Sequence, residues 1–220
     1  MSAAFSRADA LAFVAARIPA FDGQRCPRIA IDGPDGAGKT HFADALAHLL
    51  RDQERPVVRV SLDDFHNTRE VRYRLGRGSP EGFWSDSYNY RQFHTDVLTP
   101  FRPGGSRRYR TACHDVTTDA VLTPEPQVAA PGTVLVVDGI FLQRNELSSH
   151  WDVSIFLDVA FAETARRMAL RDGSSPEPDH PTMRRYVEAQ RRYFRECKPQ
   201  EQATILIANG DYESPVVLRA

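Results

Sequence analysis

Five apolar runs punctuate the chain, and each reads as a strand. They are "PRIAID" (27–32), "PVVRVS" (56–61), "TVLVVDGIF" (133–141), "WDVSIFLDV" (151–159) and "ATILIAN" (203–209). Runs that are nearly unbroken rather than alternating belong to strands covered on both faces. Helical spacing fills the gaps: "KTHFADALAHLLRD" (39–52) follows the first run at once, 161–171 follows the fourth, and 183–196 precedes the fifth. Strand, helix, strand in this order predicts an α/β fold with a five-stranded parallel sheet flanked by helices.

Ahead of the sheet, Phe5, Leu11, Phe13, Val14 and Ile18 recur at helical intervals and predict an N-terminal helix within 1–26. Two stretches interrupt the alternation. Residues 69–105 are rich in Gly, Pro, Tyr and Arg around one helical segment, "YRQFHTDVLTPF", and 106–128 read as short extended pieces of a hairpin. Their aromatics argue against disorder, so 69–128 is expected to be a substrate-binding insertion in a single domain spanning 1–220. The Pro-rich segment 172–182 between two helices is expected to act as a lid.

Composition narrows the class without naming it. With 28 Lys plus Arg against 29 Asp plus Glu the net charge is −1, which asks for neither nucleic acid nor an anionic membrane. Cys26, Cys113 and Cys197 have no metal-type spacing, and Arg7, Asp9 and Arg17 break the N-terminal apolar positions of a would-be leader. No run reaches the ~20 apolar residues of a membrane span. A cytoplasmic protein is the expectation, with homo-oligomerisation left open.

"GPDGAGKT" (33–40) lies between the first strand and the first helix and fits G-x-x-x-x-G-K-[ST]. Glycines let backbone N–H groups turn inward onto phosphate oxygens, so Gly33, Asp35, Gly36, Ala37 and Gly38 are expected to cradle a nucleotide. Lys39 is expected at the β/γ-phosphates and Thr40 on Mg²⁺. A small-molecule kinase, a GTPase switch and an ATPase or ATP-dependent binding module all use such a loop. Asn67, Asn89, Asn145 and Asn209 stand in no NKxD-like guanine reader, which removes the switch, and a motor normally needs a longer chain. A kinase also explains why the second strand ends on Asp63 and Asp64. Phosphoryl transfer to an alcohol needs a carboxylate at the acceptor hydroxyl, and strand C-termini line the ligand crevice.

The segments "GPDGAGKT", "VSLDDFH", "SPEGFWSDSYNY", "VLVVDGIFL", "SIFLDVAFAETARRMALRD" and "RRYFRECKPQEQATILIAN", in that order from Ile29 to Asn209, resemble the uridine kinase family of P-loop kinases, with relatives in phosphoribulokinase and pantothenate kinase. The resemblance implies a P-loop NTPase fold with a lid and a substrate hairpin, and transfer from ATP with Mg²⁺ to a small-molecule acceptor, the 5′-OH of uridine or cytidine. By position it implies Asp63 as catalytic base, Asp138 beside the metal, Arg167 and Arg171 closing on the phosphates, and Asn209 with Gly210 by the adenine. His66, Tyr88, Asn89 and His114 fall where the family binds its acceptor, with Phe83, Trp84 and Tyr90 nearby, either stacking on a base or forming a small satellite core. Asn89 replaces an acid that holds ribose hydroxyls, and "RYRTACHDVTTD" follows the family hairpin loosely. A sugar phosphate, pantothenate or another nucleoside is the alternative acceptor. Arg72, Arg74 and Arg77 read as a solvated loop.

Overall fold

The computed structural model describes residues 6–20 and 25–220. The N-terminal helix is shorter than its pattern suggested: α1 spans Arg7–Ala15, capped by Ser6 and Asp9 in a reciprocal capping box. Phe5 lies outside the described residues. The strands are β1 (Arg28–Asp32), β2 (Val57–Ser61), β3 (Val134–Asp138), β4 (Val153–Asp158), β5 (Ile205–Ala208) and β6 (Val216–Arg219). They form one sheet in the order β6-β5-β4-β1-β3-β2. The five expected strands are parallel, and β6 adds a sixth, antiparallel to β5. Two half-buried and two exposed residues carry too little apolar pattern to announce that edge strand.

Strand residues alternate between two cores. Ile29, Ile31, Val134, Val136, Ile155 and Leu157 pack on one face against Phe42, Leu46 and Leu50 of α2 (Lys39–Asp52) and against Leu11 and Val14 of α1. Ala30, Val60, Leu135, Val137 and Phe156 pack on the other against Phe65, Phe93, Phe141 and Tyr193. Burial on both faces is what makes these strands read as continuous apolar runs.

Residues 69–128 lie between β2 and β3. They contain α3 (Pro80–Asp86), which Ser79 caps by accepting from the Gly82 N–H, and a helical segment from Tyr90 that widens to π-type turns at His94–Leu98. The hairpin is interrupted: Arg108–Tyr109 pairs with Gln127–Val128, and inside that His114–Asp115 pairs with Ala120–Val121. Helix α4 (Phe161–Asp172) ends on left-handed Gly173 and leads into the irregular 173–183, followed by α5 (Arg184–Cys197). Arg185 of α5 is buried and donates to the Arg72 and Arg77 carbonyls, 3.1 and 3.2 Å. Helix α5, which follows segment 173–183, is thereby tied to the insertion. No helix among the described residues is long and apolar enough to cross a membrane.

Candidate active site

The loop from β1 to α2 is folded as its glycines demand. Gly33 has φ +152°, and a Cβ there would lie 2.7 Å from the Leu157 carbonyl oxygen. Gly36 has φ +78°, with the Thr164 carbonyl oxygen 2.8 Å from the same hypothetical atom. Side chains at either would push the loop off β4 and α4. The loop hands over at Gly38 to the N-terminus of α2, where unpaired N–H groups favour anions. Lys39 Nζ donates to the Pro34 carbonyl at 2.9 Å, folded over its own loop.

Beneath the loop lies a buried acid that sequence reasoning missed. Asp32 Oδ1 accepts from the Gly33 N–H at 2.7 Å, and Oδ2 accepts from Tyr193 OH at 2.5 Å and the Gln143 N–H at 3.0 Å. Burial pushes its pKa up to about 6 against these donors and Lys39. Asp35 and Gln190 bond reciprocally: the Asp35 N–H donates to Gln190 Oε1 at 3.0 Å, and Gln190 Nε2 donates back to Asp35 Oδ2 at 3.2 Å. Burial raises the Asp35 pKa as well.

Asp138 ends β3 beside Ile31 of β1, and Thr40 Oγ1 donates to its Oδ2 at 2.6 Å. Arg59 Nη2 lies 2.8 Å from Asp138 Oδ1 as an ion pair, off the line of a hydrogen bond, so this buried oxygen lacks an aligned donor. A hydroxyl and a carboxylate converging on the phosphate loop suit a hard cation that takes its other ligands from phosphate and water. No group of three or more His, Cys, Asp or Glu among the described residues forms a cage able to hold a metal by itself.

Asp63 and Asp64 occupy a single 3₁₀ turn after β2, Leu62–Phe65, started by Ser61. Asp63 is exposed and lines a cleft of about 560 Å³ with Lys39, Thr40, Asp138, Arg171 and Tyr212. Tyr88 OH donates to Asp63 Oδ1 at 3.0 Å, and burial holds the Tyr88 pKa far above its ordinary value, so the phenol stays a donor. Asp64 instead offers its carbonyl to the Cys113 N–H at 2.9 Å, fastening the hairpin. Burial, then the Asp63 charge, raises the Asp64 pKa.

Next to this turn opens a second cavity of about 320 Å³, lined among others by His66, Asn89, Gln92, Asp96, Arg110 and His114. His66 Nδ1 lies 2.6 Å from the Asp63 carbonyl, linking the two spaces, and burial lowers its pKa toward the neutral imidazole. His114 is buried; its Nε2 is 3.0 Å from Asp119 Oδ1, which must accept, and its Nδ1 is buried without a partner. Gln92, Asp96 and Arg110 were missed. Asn89, Gln92 and Asp96 are three and four apart, so one helical face was the available signal. Gln92 Nε2 donates to Asp96 at 2.7 Å, and Arg110 is 3.4 Å from the same carboxylate. No Phe, Tyr or Trp among the described residues lines this cavity. Phe83 and Trp84 pack on Phe141 at 5.7 and 5.0 Å and join the core on one face of the sheet, not a separate satellite core. Arg72, read as part of a solvated loop, is buried beside Asp119.

The two α4 arginines differ. Arg167 donates to Glu163 at 2.7 Å and to the Asn209 and Gly210 carbonyls at 2.9 and 2.8 Å. Arg171 is largely exposed and, among the described residues, pairs with its neighbour Asp172, 2.7 Å away. Asn209 is buried, its Nδ2 donating to the Ala37 carbonyl at 2.8 Å, so its side chain braces the phosphate loop.

The model of the phosphoribulokinase and uridine kinase family matches residues 28–209. The chain belongs to that family. It is a P-loop small-molecule kinase, with ATP as the family's phosphate donor and an alcohol as acceptor. No curated protein sequence matches it. Among solved structures it is similar to a possible uridine kinase from Bacillus stearothermophilus, with 21% identity, 90% of this chain and 97% of that one covered, and a TM-score of 0.72. A candidate fructose transport system kinase from Silicibacter sp. TM1040 follows at 22% identity, 86% and 95% coverage and 0.66. D-glycerate 3-kinase from Cryptococcus neoformans var. grubii gives 11%, 88% of each chain and 0.55. At such identities these likenesses speak for the kinase fold alone.

Proposed function

We propose that the protein transfers the γ-phosphoryl group of ATP to a hydroxyl of a small polar acceptor held in the smaller cavity, with Asp63 as the base. The observation that carries this is the position of Asp63: it lines the phosphate cleft, while its own carbonyl bonds His66 of the neighbouring cavity. Gly33 to Lys39 hold the donor phosphates. Asp63 orients the acceptor hydroxyl and takes its proton as the oxygen attacks phosphorus, and Tyr88 fixes the carboxylate. Thr40 and Asp138 would hold Mg²⁺, which when bound neutralises phosphate charge. Arg171, in the last turn of α4 beside the lid, adds charge over the γ-phosphoryl oxygens, and closure of the lid helps exclude water.

The acceptor favoured by the family resemblance is the 5′-OH of a pyrimidine nucleoside, for which His66, Asn89 and His114 supply hydrogen bonds. A base-free polyhydroxylated alcohol is the second reading, favoured by mostly polar walls that hold two imidazoles but no Phe, Tyr or Trp ring among the described residues to stack a base. ADP release from Mg-ATP across a panel of uridine, cytidine, other nucleosides, sugars, sugar phosphates, glycerate and pantothenate decides between them. Turnover with the pyrimidine nucleosides supports the first, turnover with sugars or glycerate alone supports the second, and ADP binding without turnover on any alcohol overturns phosphotransfer.

A further inference from the structure

The rim of the nucleotide cleft is built partly from α1. Tyr212, beyond β5, lines the cleft beside Gly38, close enough that a Cβ on Gly38 would meet Tyr212 Cε2 at 3.4 Å. The Arg7 guanidinium lies over the Tyr212 ring, 3.9 Å from its centroid, and its Nη2 donates to the His41 carbonyl in the first turn of α2 at 3.1 Å. His41 meets the same ring edge-on at 6.2 Å, and the Arg7 N–H donates to the Glu213 carbonyl at 3.2 Å. The ring is therefore fixed from several sides, yet only half-buried. An aromatic side chain so clamped, at the edge of a phosphate cradle, has lost little freedom that binding could still cost it. Phosphate recognition and metal binding make no use of it.

We propose that Tyr212, held in place by Arg7, is the surface on which the base of the donor nucleotide stacks, an inference that rests on the phosphate-cleft reading above. Stacking needs a π face and no particular base edge.

The test is calorimetric binding of two ligands, ADP and inorganic tripolyphosphate, to the whole protein. Tyr212→Ala is expected to weaken ADP about 5- to 150-fold, the range seen when a base loses its aromatic partner, and to leave tripolyphosphate unchanged. Tyr212→Phe, which keeps the ring, should recover most of that loss, and Arg7→Ala should weaken ADP by a smaller factor. Unchanged ADP affinity in Tyr212→Ala overturns the proposal. Equal weakening of ADP and tripolyphosphate overturns it too, since that marks a merely structural role. Wild-type protein that binds neither ligand overturns the phosphate-cleft reading itself, and the stacking role with it.

Discussion

Replacing Asp63 by Asn separates positioning from proton transfer, because the two side chains have the same shape. Tyr88 OH donates to Asp63 Oδ1 at 3.0 Å, and an amide oxygen at this position accepts the same bond. What disappears is basicity, and a positioned base contributes about two to four orders of magnitude, roughly 3–5 kcal/mol of barrier. Asp63 makes no hydrogen bond to Lys39 or Thr40, so ADP affinity should stay within about threefold. Any change should be a gain, since Asp63 raises the pKa values of Asp35 and Asp64 and thus adds to the negative charge facing the phosphates. Tyr88→Phe removes only the orienting bond, worth about 1.5–3 kcal/mol to a charged acceptor, and should lower kcat by roughly 10- to 100-fold. In the Asp63→Asn background the same change should cost much less, because the acceptor is then neutral. The assay is coupled ADP release, with kcat and KM resolved separately on the best acceptor of the panel and ADP affinity by calorimetry. A kcat for Asp63→Asn within about threefold of wild type refutes the base assignment. Strictly additive losses in the double variant refute the orienting role of Tyr88.

Two further outcomes probe the scaffold under the phosphates. Gly36→Ala places a side chain at φ +78° against the Thr164 carbonyl 2.8 Å away, so it should cost about 1–3 kcal/mol of stability and abolish the rise in Tm that ADP gives the wild type; an intact ligand-induced shift contradicts the packing account. Asp32 has a folded pKa of about 6 against an ordinary 3.8, so the folded state holds this proton more tightly; the stabilisation is complete below about pH 4 and lost as pH rises to about 6. Above that window the carboxylate relies on Tyr193, and Tyr193→Phe should cost about 1.5–3 kcal/mol at pH 8 and clearly less at pH 5. Urea unfolding at both pH values checks this, and an equal cost at both removes Asp32 as the titrating partner.

The five parallel strands were legible because burial on both faces leaves an unbroken apolar run, as in β3, where all five residues are buried. The phosphate loop was legible because a single eight-residue stretch both makes the turn and carries the chemistry. The smaller cavity was legible only in part: the family resemblance pointed to His66, Asn89 and His114, which line it, while Gln92, Asp96 and Arg110 went unseen because its residues come from separate elements that meet only in the folded insertion. Asn89, Gln92 and Asp96 share a helical segment, but Arg110 and His114 arrive from the hairpin. Asp32 was hidden for another reason. A strand-end Asp before Gly resembles an ordinary turn, and only the arrival of Tyr193 from α5 makes it a buried acid.

The four-residue spacing of Arg167 and Arg171 suggested one role for both, and their surroundings divide it. To reach a γ-phosphoryl group, Arg167 would have to surrender a carboxylate and two carbonyls that it meets at 2.7 to 2.9 Å while largely buried. Arg171 gives up one exposed ion pair to its neighbour Asp172, an interaction worth about 0–1 kcal/mol. Arg171 is therefore the more cheaply released of the two, and it adjoins the irregular segment 173–183. Arg167 acts as the fixed point: it anchors the 209–210 backbone, and Asn209 in turn holds the Ala37 carbonyl of the phosphate loop. On the opposite side of that loop, Gln190 and Tyr193 of α5 hold Asp35 and Asp32. Both helices that flank segment 173–183 thus grip the phosphate loop, so a movement of that segment would leave the cradle undisturbed, and Arg171, in the last turn of α4, would reach the phosphates by swinging its own exposed side chain.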